Sequence, residues 1–384
     1  MTPIFKRGMF EATRLTRAGK LVDATDVIRN LMHRSAPEND KTTPPDADGE
    51  VIEGEFTRLE TKAPKPAKPA RKSPKAPLAE TLRKIAAGGM PARGPLAKES
   101  AATANGAQFL SLTHFGPHGS RAYRLYVPAA QPAGPMPLVV MLHGCTQSTE
   151  DFAIGTGMND VAEEVGCVIA YPMQPSGANA QKCWNWFRPE DQGRDAGEPA
   201  LIAGIVRDIQ ASHRVDPART YIAGLSAGGA AAIIVAAAYP EVFAAVGSHS
   251  GLPSGAAHDV VSAFSAMRSG TTVPPHKTAL PTIAFHGLSD TTVHPSNGSA
   301  VIAQALRAMP GLRKSTRQDT ARGGQGYSIT AHLHTDGRSM AEHWQIDSAG
   351  HAWAGGHVAG SYTDPKGPDA SRQMLRFFLQ HRLA

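Results

Sequence analysis

Five short and almost wholly apolar runs constrain the fold of this chain more than any other feature of its sequence. They read PLVVMLHG (137–144), CVIAYP (167–172), TYIAG (220–224), FAAVGSHSG (243–251) and PTIAFHG (281–287). Strands buried on both faces have this continuous apolar character, whereas strands with one solvated face alternate. We therefore expect the five runs to form the centre of a mostly parallel sheet.

Helical patterns fill the intervals between these runs. Residues 109–128 alternate as a β-hairpin does, and helices are expected at 155–165, 198–213, 227–239 and 297–308, with a last amphipathic helix at 369–382. Regular alternation of strand and helix predicts an α/β fold with helices on both faces of the sheet. We assign residues 106–384 to this α/β domain.

The first 105 residues have a different composition. Apolar residues recur at helical spacing between residues 10 and 32, with a break at Gly19, which predicts a short helical hairpin within an N-terminal segment, residues 1–34. Residues 35–105 are rich in Pro, Ala and Lys and poor in large apolar side chains. Such a segment cannot offset the entropy lost on ordering, so we predict a disordered, flexible linker.

The formal net charge of +6 also lies in these 105 residues, which hold 19 Lys and Arg against 13 Asp and Glu. Charge runs of this kind are usually solvated linkers, and we predict no nucleic-acid partner. A function of another class stays open, in which residues 1–105 bind a granule or another anionic surface. No stretch approaches the roughly 20 apolar residues of a transmembrane segment.

The three cysteines, Cys145, Cys167 and Cys183, are too few for a disulfide scaffold and lack the C-x-x-C spacing of zinc sites. Cys167 begins a buried strand and is expected to be a small core residue. The sequence also contains no phosphate-binding loop, dinucleotide fingerprint or H-E-x-x-H motif. We therefore predict no cofactor and no metal.

One serine stands in a pattern that carries chemistry. Residues 224–228 read GLSAG, the G-x-S-x-G motif, between a predicted buried strand and an alanine-rich helix. The turn in this motif is so tight that larger neighbours would collide, and it holds the hydroxyl of Ser226 beside a helix N-terminus. Small residues also occur in strand-to-helix turns for packing alone, so the motif by itself is weak evidence. The strand before it and the helix after it strengthen the prediction.

A serine nucleophile needs a base and a group that orients the base. In this fold they follow the serine in the order acid, then histidine, which selects Asp290 after the strand PTIAFHG and His351 in the loop after HWQID. Rival acids and bases are less well placed. Asp336 lies in a D-G hairpin turn, Asp347 is too close to His351 in sequence, and His294 and His357 lack a strand-loop-helix setting.

The oxyanion that forms when a serine attacks a carbonyl group also needs two donors. The first is expected to be the backbone N–H of Ala227, the residue after the nucleophile. The second should come from the loop after an earlier strand, where the N–H of Cys145 is the candidate.

Five motifs in order, LHGCTQS, KCWNWF, GLSAGG, HGLSD and GHAW, resemble the esterase family of poly(3-hydroxybutyrate) depolymerases, which is related to feruloyl and acetylxylan esterases. The resemblance covers residues 105–384. It implies an α/β-hydrolase fold, serine esterase activity and a catalytic triad of Ser226, Asp290 and His351. The implied substrate is a short-chain polyhydroxyalkanoate polymer or oligomer, with a feruloyl or acetylxylan ester as the alternative.

The resemblance carries three further implications. Cys145 is expected to bridge Cys183, and Trp184, Asn185 and Trp186 are expected to line the substrate cleft, although core packing of one tryptophan stays open. Family members that attack solid polymer are secreted, which implies an extracellular location. The first residues of this chain lack the apolar block of a secretory signal, so the sequence itself favours the cytoplasm.

Overall fold

The computed structural model describes residues 106–271 and 279–384. The helical hairpin predicted within residues 1–34 and the linker predicted at 35–105 lie outside this part of the chain. Twelve strands occur in the described residues. Their bounds are β1 Gln108–Gly116, β2 Gly119–Val127, β3 Met136–Leu142, β4 Val168–Pro172, β5 Val215–Leu225, β6 Ala245–His249, β7 Thr282–Gly287, β8 Arg313–Thr320, β9 Gly326–Leu333, β10 Ser339–Ile346, β11 Trp353–Ala354 and β12 Thr363–Asp364.

Ten of these strands form one sheet in the order β1-β2-β4-β3-β5-β6-β7-β10-β9-β8. The central six, from β4 to β10, run parallel, and an antiparallel hairpin extends the sheet at each side. Strands β11 and β12 form a small separate parallel pair. The parallel centre places the carboxyl ends of β3, β5, β7 and β10 at one edge of the sheet, where loops carry function in open α/β folds.

Helices cover both faces of the sheet, as expected. The seven α-helices of the described residues are α1 Thr149–Thr156, α2 Met158–Val165, α3 Gly197–Ser212, α4 Ala227–Ala238, α5 Val260–Ser269, α6 Ser296–Leu306 and α7 Ala370–Phe378. Buried side chains of α3, α4, α5 and α6 join one core cluster, and those of α1, α2 and α7 join the other.

The alternation of side chains along each central strand divides the two cores. Along β3, Leu138 and Val140 belong to the first core, whereas Val139 and Met141 belong to the second, and all four are fully buried. A strand with helices on both faces needs apolar residues at every position. This burial explains the continuous apolar runs and confirms the predicted α/β architecture.

One predicted element was wrong, and others were missed. The helix expected at 155–165 is two helices, because Gly157 adopts φ 60°, ends α1 and begins α2. Helix α5 and the hairpin of β8 and β9 were not predicted. Every residue of β8 is exposed, so this edge strand lacks the apolar pattern by which strands are recognised. Among helices in the described ranges, none combines the length and apolar character needed to span a membrane.

Candidate active site

The G-x-S-x-G motif forms a sharp turn between β5 and α4. Ser226 has φ 58° and ψ −119°, a conformation that L-residues rarely adopt, and its N–H donates to the carbonyl oxygen of His249 at 2.8 Å. Ala227 is the first residue of α4, so its N–H has no acceptor within the helix. The serine hydroxyl therefore stands at the carboxyl edge of the sheet beside a free helix N-terminus.

The small residues around Ser226 are required by close backbone contacts. A Cβ atom on Gly224 would lie 2.7 Å from the carbonyl oxygen of Leu142, and one on Gly228 would lie 2.5 Å from that of His143. A Cβ atom on Gly229 would lie 2.9 Å from Ser248 Oγ. All three distances are shorter than van der Waals contact, so the turn can pack against β3 and β6 only if these positions are glycine.

Asp290 and His351 meet at the same edge of the sheet. Asp290 follows β7, His351 follows β10, and the Nδ1 atom of His351 donates to Asp290 Oδ2 at 2.7 Å. The two loops also share backbone contacts, since the N–H of Ser289 donates to the carbonyl oxygen of Ala349 at 2.9 Å. The Nε2 atom of His351 makes no hydrogen bond within the described residues, which leaves it available to accept a proton.

The surroundings of Asp290 keep its carboxylate ionised. Its Oδ1 atom accepts the backbone N–H groups of Thr292 and Val293, each at 2.9 Å. The Nε2 atom of His286 donates to the carbonyl oxygen of Val293 at 2.8 Å and lies 3.5 Å from Asp290 Oδ2. Burial opposes ionisation, but the nearby imidazoles and donated N–H groups outweigh it and hold the pKa of Asp290 well below its usual value.

A second buried histidine, His249, lies directly behind the Ser226 turn. Its ring is fully buried and stacks on Trp353, with centroids 5.1 Å apart, and on Phe285, with centroids 5.7 Å apart. Its Nε2 atom accepts the backbone N–H of Ala354 at 3.0 Å. Sequence reasoning missed His249 and His286, although each interrupts an apolar strand run where a polar side chain has to find partners.

The predicted oxyanion loop follows β3 and packs against the Ser226 turn. The N–H of Gly144 donates to Gln147 Oε1 at 2.8 Å, and that of Thr146 donates to the carbonyl oxygen of Gln181 at 2.7 Å. Between them, the N–H of Cys145 has no acceptor among the described residues. A Cβ atom on Gly144 would lie 3.6 Å from the Leu225 carbonyl oxygen, so this loop borders the nucleophile turn.

A disulfide joins Cys145 to Cys183 and connects this loop with the segment KCWNWF. The indole N–H of Trp184 donates to the carbonyl oxygen of His143 at 3.1 Å, so Trp184 supports the loop that follows β3. His143 in turn accepts the N–H of Gln174 at Nε2, and burial lowers its pKa to about 4, so it remains neutral. The third cysteine, Cys167, is buried, and burial raises the pKa of its thiol.

The side chains of Trp184, Asn185 and Trp186 are buried, with exposed fractions of 0%, 3% and 5%. Both the N–H and the side-chain amide of Asn185 donate to Glu198, at 2.8 Å each. Burial raises the pKa of Glu198 to about 7. The expectation that Trp184 lines the substrate cleft is not met, because its side chain has no exposed surface and bonds to His143, whereas Asn185 bonds to Glu198.

The rival acids and bases lie in other contacts. Asp336 accepts the N–H of Arg338 within its hairpin turn at 2.9 Å, and His294 contacts Ser296 Oγ at 2.8 Å. The side chain of Asp347 faces Gly326, and His357 accepts the N–H of Ala359 at 3.2 Å.

The described residues contain no group of three or more His, Cys, Asp or Glu side chains arranged to hold a metal ion.

A parallel sheet of this order, with a serine turn after β5 and an acid–histidine pair after β7 and β10, defines an α/β-hydrolase. The family model described as Esterase PHB depolymerase matches residues 121–319, about half of the chain. The chain therefore belongs to this family, which confirms the resemblance seen in its motifs. The matched residues include Ser226 and Asp290 and end before His351.

Named relatives agree with this assignment. The chain is 33% identical over 240 residues to poly(3-hydroxyalkanoate) depolymerase C of Paucimonas lemoignei, covering 59% of this chain and 57% of the relative. It is also 33% identical over 185 residues to feruloyl esterase B of Neurospora crassa, covering 47% and 58%. These relatives are carboxylic ester hydrolases by name, and the chain spans less than two thirds of their length.

Among solved structures, an acetyl xylan esterase from Aspergillus awamori superposes with a TM-score of 0.56. The two chains are 20% identical, and the superposition covers 71% of this chain and 98% of the other. At this identity the likeness establishes the fold, which is that of the α/β-hydrolases.

Proposed function

We propose that this protein is a serine esterase that hydrolyses carboxylic esters through a covalent acyl-enzyme. Ser226 is the nucleophile, His351 the general base and Asp290 the group that orients the imidazole. The observation that carries the proposal is the 2.7 Å hydrogen bond from His351 Nδ1 to Asp290, in a loop that shares an anchor, His249, with the Ser226 turn. A purely structural role would not require the loops after β5, β7 and β10 to meet.

In the first half-reaction, His351 Nε2 takes the proton of the Ser226 hydroxyl as the oxygen attacks the ester carbonyl carbon. Asp290 remains ionised, fixes the Nδ1–H tautomer and stabilises the imidazolium. The negative charge on the former carbonyl oxygen is stabilised by the N–H groups of Cys145 and Ala227. His351 then gives its proton to the departing alcohol, which leaves an ester between Ser226 and the acyl group.

The second half-reaction repeats these roles with water. His351 removes a proton from the water molecule, the resulting hydroxide attacks the acyl carbon, and the same two N–H groups stabilise the second tetrahedral intermediate. Return of the proton to Ser226 releases the carboxylic acid.

As substrate we propose a short-chain polyhydroxyalkanoate polymer or its oligomers. The family description and the depolymerase from Paucimonas lemoignei support this class. A feruloyl or acetylxylan ester is the second candidate, because feruloyl esterase B of Neurospora crassa is equally identical over a shorter match. Both candidates use the same chemistry at Ser226 and differ in the acyl group that the cleft accepts.

The Cys145–Cys183 disulfide supports an oxidising compartment as the place of action, because cytosolic thiols are kept reduced. An extracellular location, as the family resemblance implies, fits this bond. The cytoplasmic alternative requires both thiols to be reduced in the cell.

The first test is the variant Ser226→Ala. We expect hydrolysis of p-nitrophenyl butyrate to fall by about 10⁴-fold or more, because the nucleophile is lost, and the protein to stop reacting with a serine-directed phosphonate. Ser212→Ala, at the end of α3, is the control and should retain full activity. Near-normal hydrolysis by Ser226→Ala would show that another residue is the nucleophile.

A substrate panel then separates the two candidates. The wild-type protein is assayed on 3-hydroxybutyrate oligomers, amorphous poly(3-hydroxybutyrate), methyl ferulate and acetylated xylan, and kcat/KM is compared. Preference for the hydroxybutyrate esters supports the leading proposal, whereas preference for methyl ferulate or acetylated xylan supports the second.

A further inference from the structure

His249 joins two loops that are far apart in sequence. Its carbonyl oxygen accepts the N–H of Ser226 at 2.8 Å, and its side-chain Nε2 accepts the N–H of Ala354 at 3.0 Å. Ser226 lies in the turn after β5, and Ala354, three residues after His351, lies in the short strand β11 that ends the loop after β10. A single residue of β6 is therefore the common anchor of both loops.

We propose that His249 is a positioning residue that holds the His351 loop in register with Ser226. The inference rests on the proposed function, in which the proton of Ser226 passes to His351. A general base acts only within hydrogen-bonding reach of its proton, and a displacement of about 1 Å can lower a rate about 100-fold. His249 acts through the position of His351 and does not touch the substrate.

The direction of the hydrogen bond fixes the protonation state that His249 needs. Because Nε2 accepts the Ala354 N–H, it carries no proton, and the proton of the neutral ring lies on Nδ1, 3.2 Å from Ser250 Oγ. A second proton, on Nε2, would point this N–H directly at the N–H of Ala354. Burial, with the nearby imidazoles of His286 and His351, lowers the pKa of His249 to about 3, so the accepting form prevails at neutral pH.

The anchored segment is itself firmly held on its far side. Trp353 stacks on the His249 ring, and its indole N–H donates to Ser371 Oγ in α7 at 3.0 Å. The backbone N–H of Trp353 also donates to the carbonyl oxygen of Tyr362 at 2.7 Å. The short strand β11, which contains Trp353, is therefore held by these bonds on one side and by His249 on the side facing Ser226. His351 lies two residues before Trp353.

Stacking and hydrogen bonding can be separated by substitution. His249→Phe keeps an aromatic ring between Phe285 and Trp353 but removes the acceptor for the Ala354 N–H. His249→Gln places an amide oxygen near the position of Nε2, and His249→Asn has the same polarity but is one methylene shorter. His381→Phe is a matched control. His381 is buried and lies near the start of β5, where the N–H of Leu383 donates to the carbonyl oxygen of Ala218. This is the opposite end of the strand from Ser226.

The variants are assayed with p-nitrophenyl butyrate, and the rate of inactivation by a serine-directed phosphonate is measured in parallel. We expect His249→Phe to lower kcat by about 10- to 100-fold with KM within about twofold, and to slow phosphonate inactivation by a similar factor. His249→Gln should recover most of the loss, His249→Asn should not, and His381→Phe should match the wild type. In a His351→Ala background, His249→Phe should cause no further decrease in the inactivation rate.

Other outcomes overturn the inference. A folded His249→Phe with unchanged kcat, or a loss that persists undiminished in the His351→Ala background, would show that His249 contributes packing alone. Should His249→Phe fail to fold, judged by its melting transition, equal activity of the Gln and Asn variants leads to the same conclusion. Full activity of Ser226→Ala refutes the proposed function itself, whereas activity lost in Ser226→Ala but kept in His249→Phe refutes only this inference.

Discussion

At the scale of single residues, Asp290 shows how neighbouring groups decide what a common side chain can do. The described residues contain several aspartates at turns, yet Asp290 is the one whose buried carboxylate accepts two backbone N–H groups and an imidazole N–H. These donors keep it ionised in spite of burial. It can therefore hold His351 in the tautomer whose Nε2 accepts a proton.

We expect Asp290→Asn to lower kcat by about 10³- to 10⁴-fold, because an amide favours the wrong tautomer of His351. Asp336→Asn, in the hairpin turn before β10, is the matched control and should leave kcat unchanged. The measurement is steady-state hydrolysis of p-nitrophenyl butyrate. A small effect of Asp290→Asn would remove this carboxylate from the mechanism.

The same variant should change the dependence of stability on pH. The pKa of Asp290 is lowered in the folded state, so its ionisation stabilises the fold above the unfolded pKa of about 3.9, and this contribution is lost as the pH falls through the folded pKa. The free energy of unfolding should therefore decrease more steeply below about pH 4 in the wild type than in Asp290→Asn. Urea denaturation at a series of pH values measures the difference.

At the scale of elements, the contact of β5 and α4 with β3 explains the crowding of small residues around Ser226. Helix α4 begins directly at the turn, and Gly228 in its first turn lies against the backbone of Leu142 and His143. Alanine is intrinsically favoured over glycine in a helix by about 1 kcal/mol. A loss of stability on substitution of Gly228 must therefore come from the collision.

We expect Gly228→Ala to lower the free energy of unfolding by about 2 kcal/mol or more and to lower kcat, since the turn must shift away from β3. Gly193→Ala is the control, because a Cβ atom there meets nothing within 4 Å, and its effect should stay within about 0.5 kcal/mol. Both values come from urea denaturation. A neutral Gly228→Ala would contradict the steric account of the motif.

At the scale of the whole molecule, the last helix covers one face of the sheet and packs on a strand that lies far from it in sequence. Phe378 of α7 is fully buried and stacks on Tyr221 of β5, with ring centroids 5.1 Å apart and planes inclined by 8°. Tyr221 also donates its hydroxyl to the carbonyl oxygen of His381 at 2.7 Å. The end of the chain thus packs on the strand that presents Ser226.

We expect Phe378→Ala to lower the free energy of unfolding by about 3–5 kcal/mol, because it removes a buried aromatic ring and leaves a cavity. The neighbouring Leu379, 41% exposed, provides the control, and Leu379→Ala should change stability by less than about 0.5 kcal/mol. Equal effects of the two substitutions in denaturant titrations would contradict the packing described for α7.

The sequence predicted the central strands because residues buried on both faces are apolar at nearly every position. It did not predict β8, whose residues are all exposed, or helix α5, in which Ala263 and Ala266 are the buried residues. The family resemblance also implied that Trp184 lines the cleft, and the sequence left core packing of one tryptophan open, because aromatic residues are common to cores and binding surfaces alike. These elements depend on which neighbours cover them, and a local pattern does not record that.

By itself, then, the amino-acid sequence determined the α/β class and the strand-serine-helix turn, since both follow from local periodicity or from steric limits within a few residues. The candidate acid and base, Asp290 and His351, were selected by the chain order expected for this fold. Only the tertiary structure decided that Asp290 reaches His351, that Trp184 lies beneath the loop after β3 and that His249 anchors two separate loops. The physical reason is that such contacts join residues up to about a hundred positions apart, and their geometry is set by the packing of the sheet and its helices.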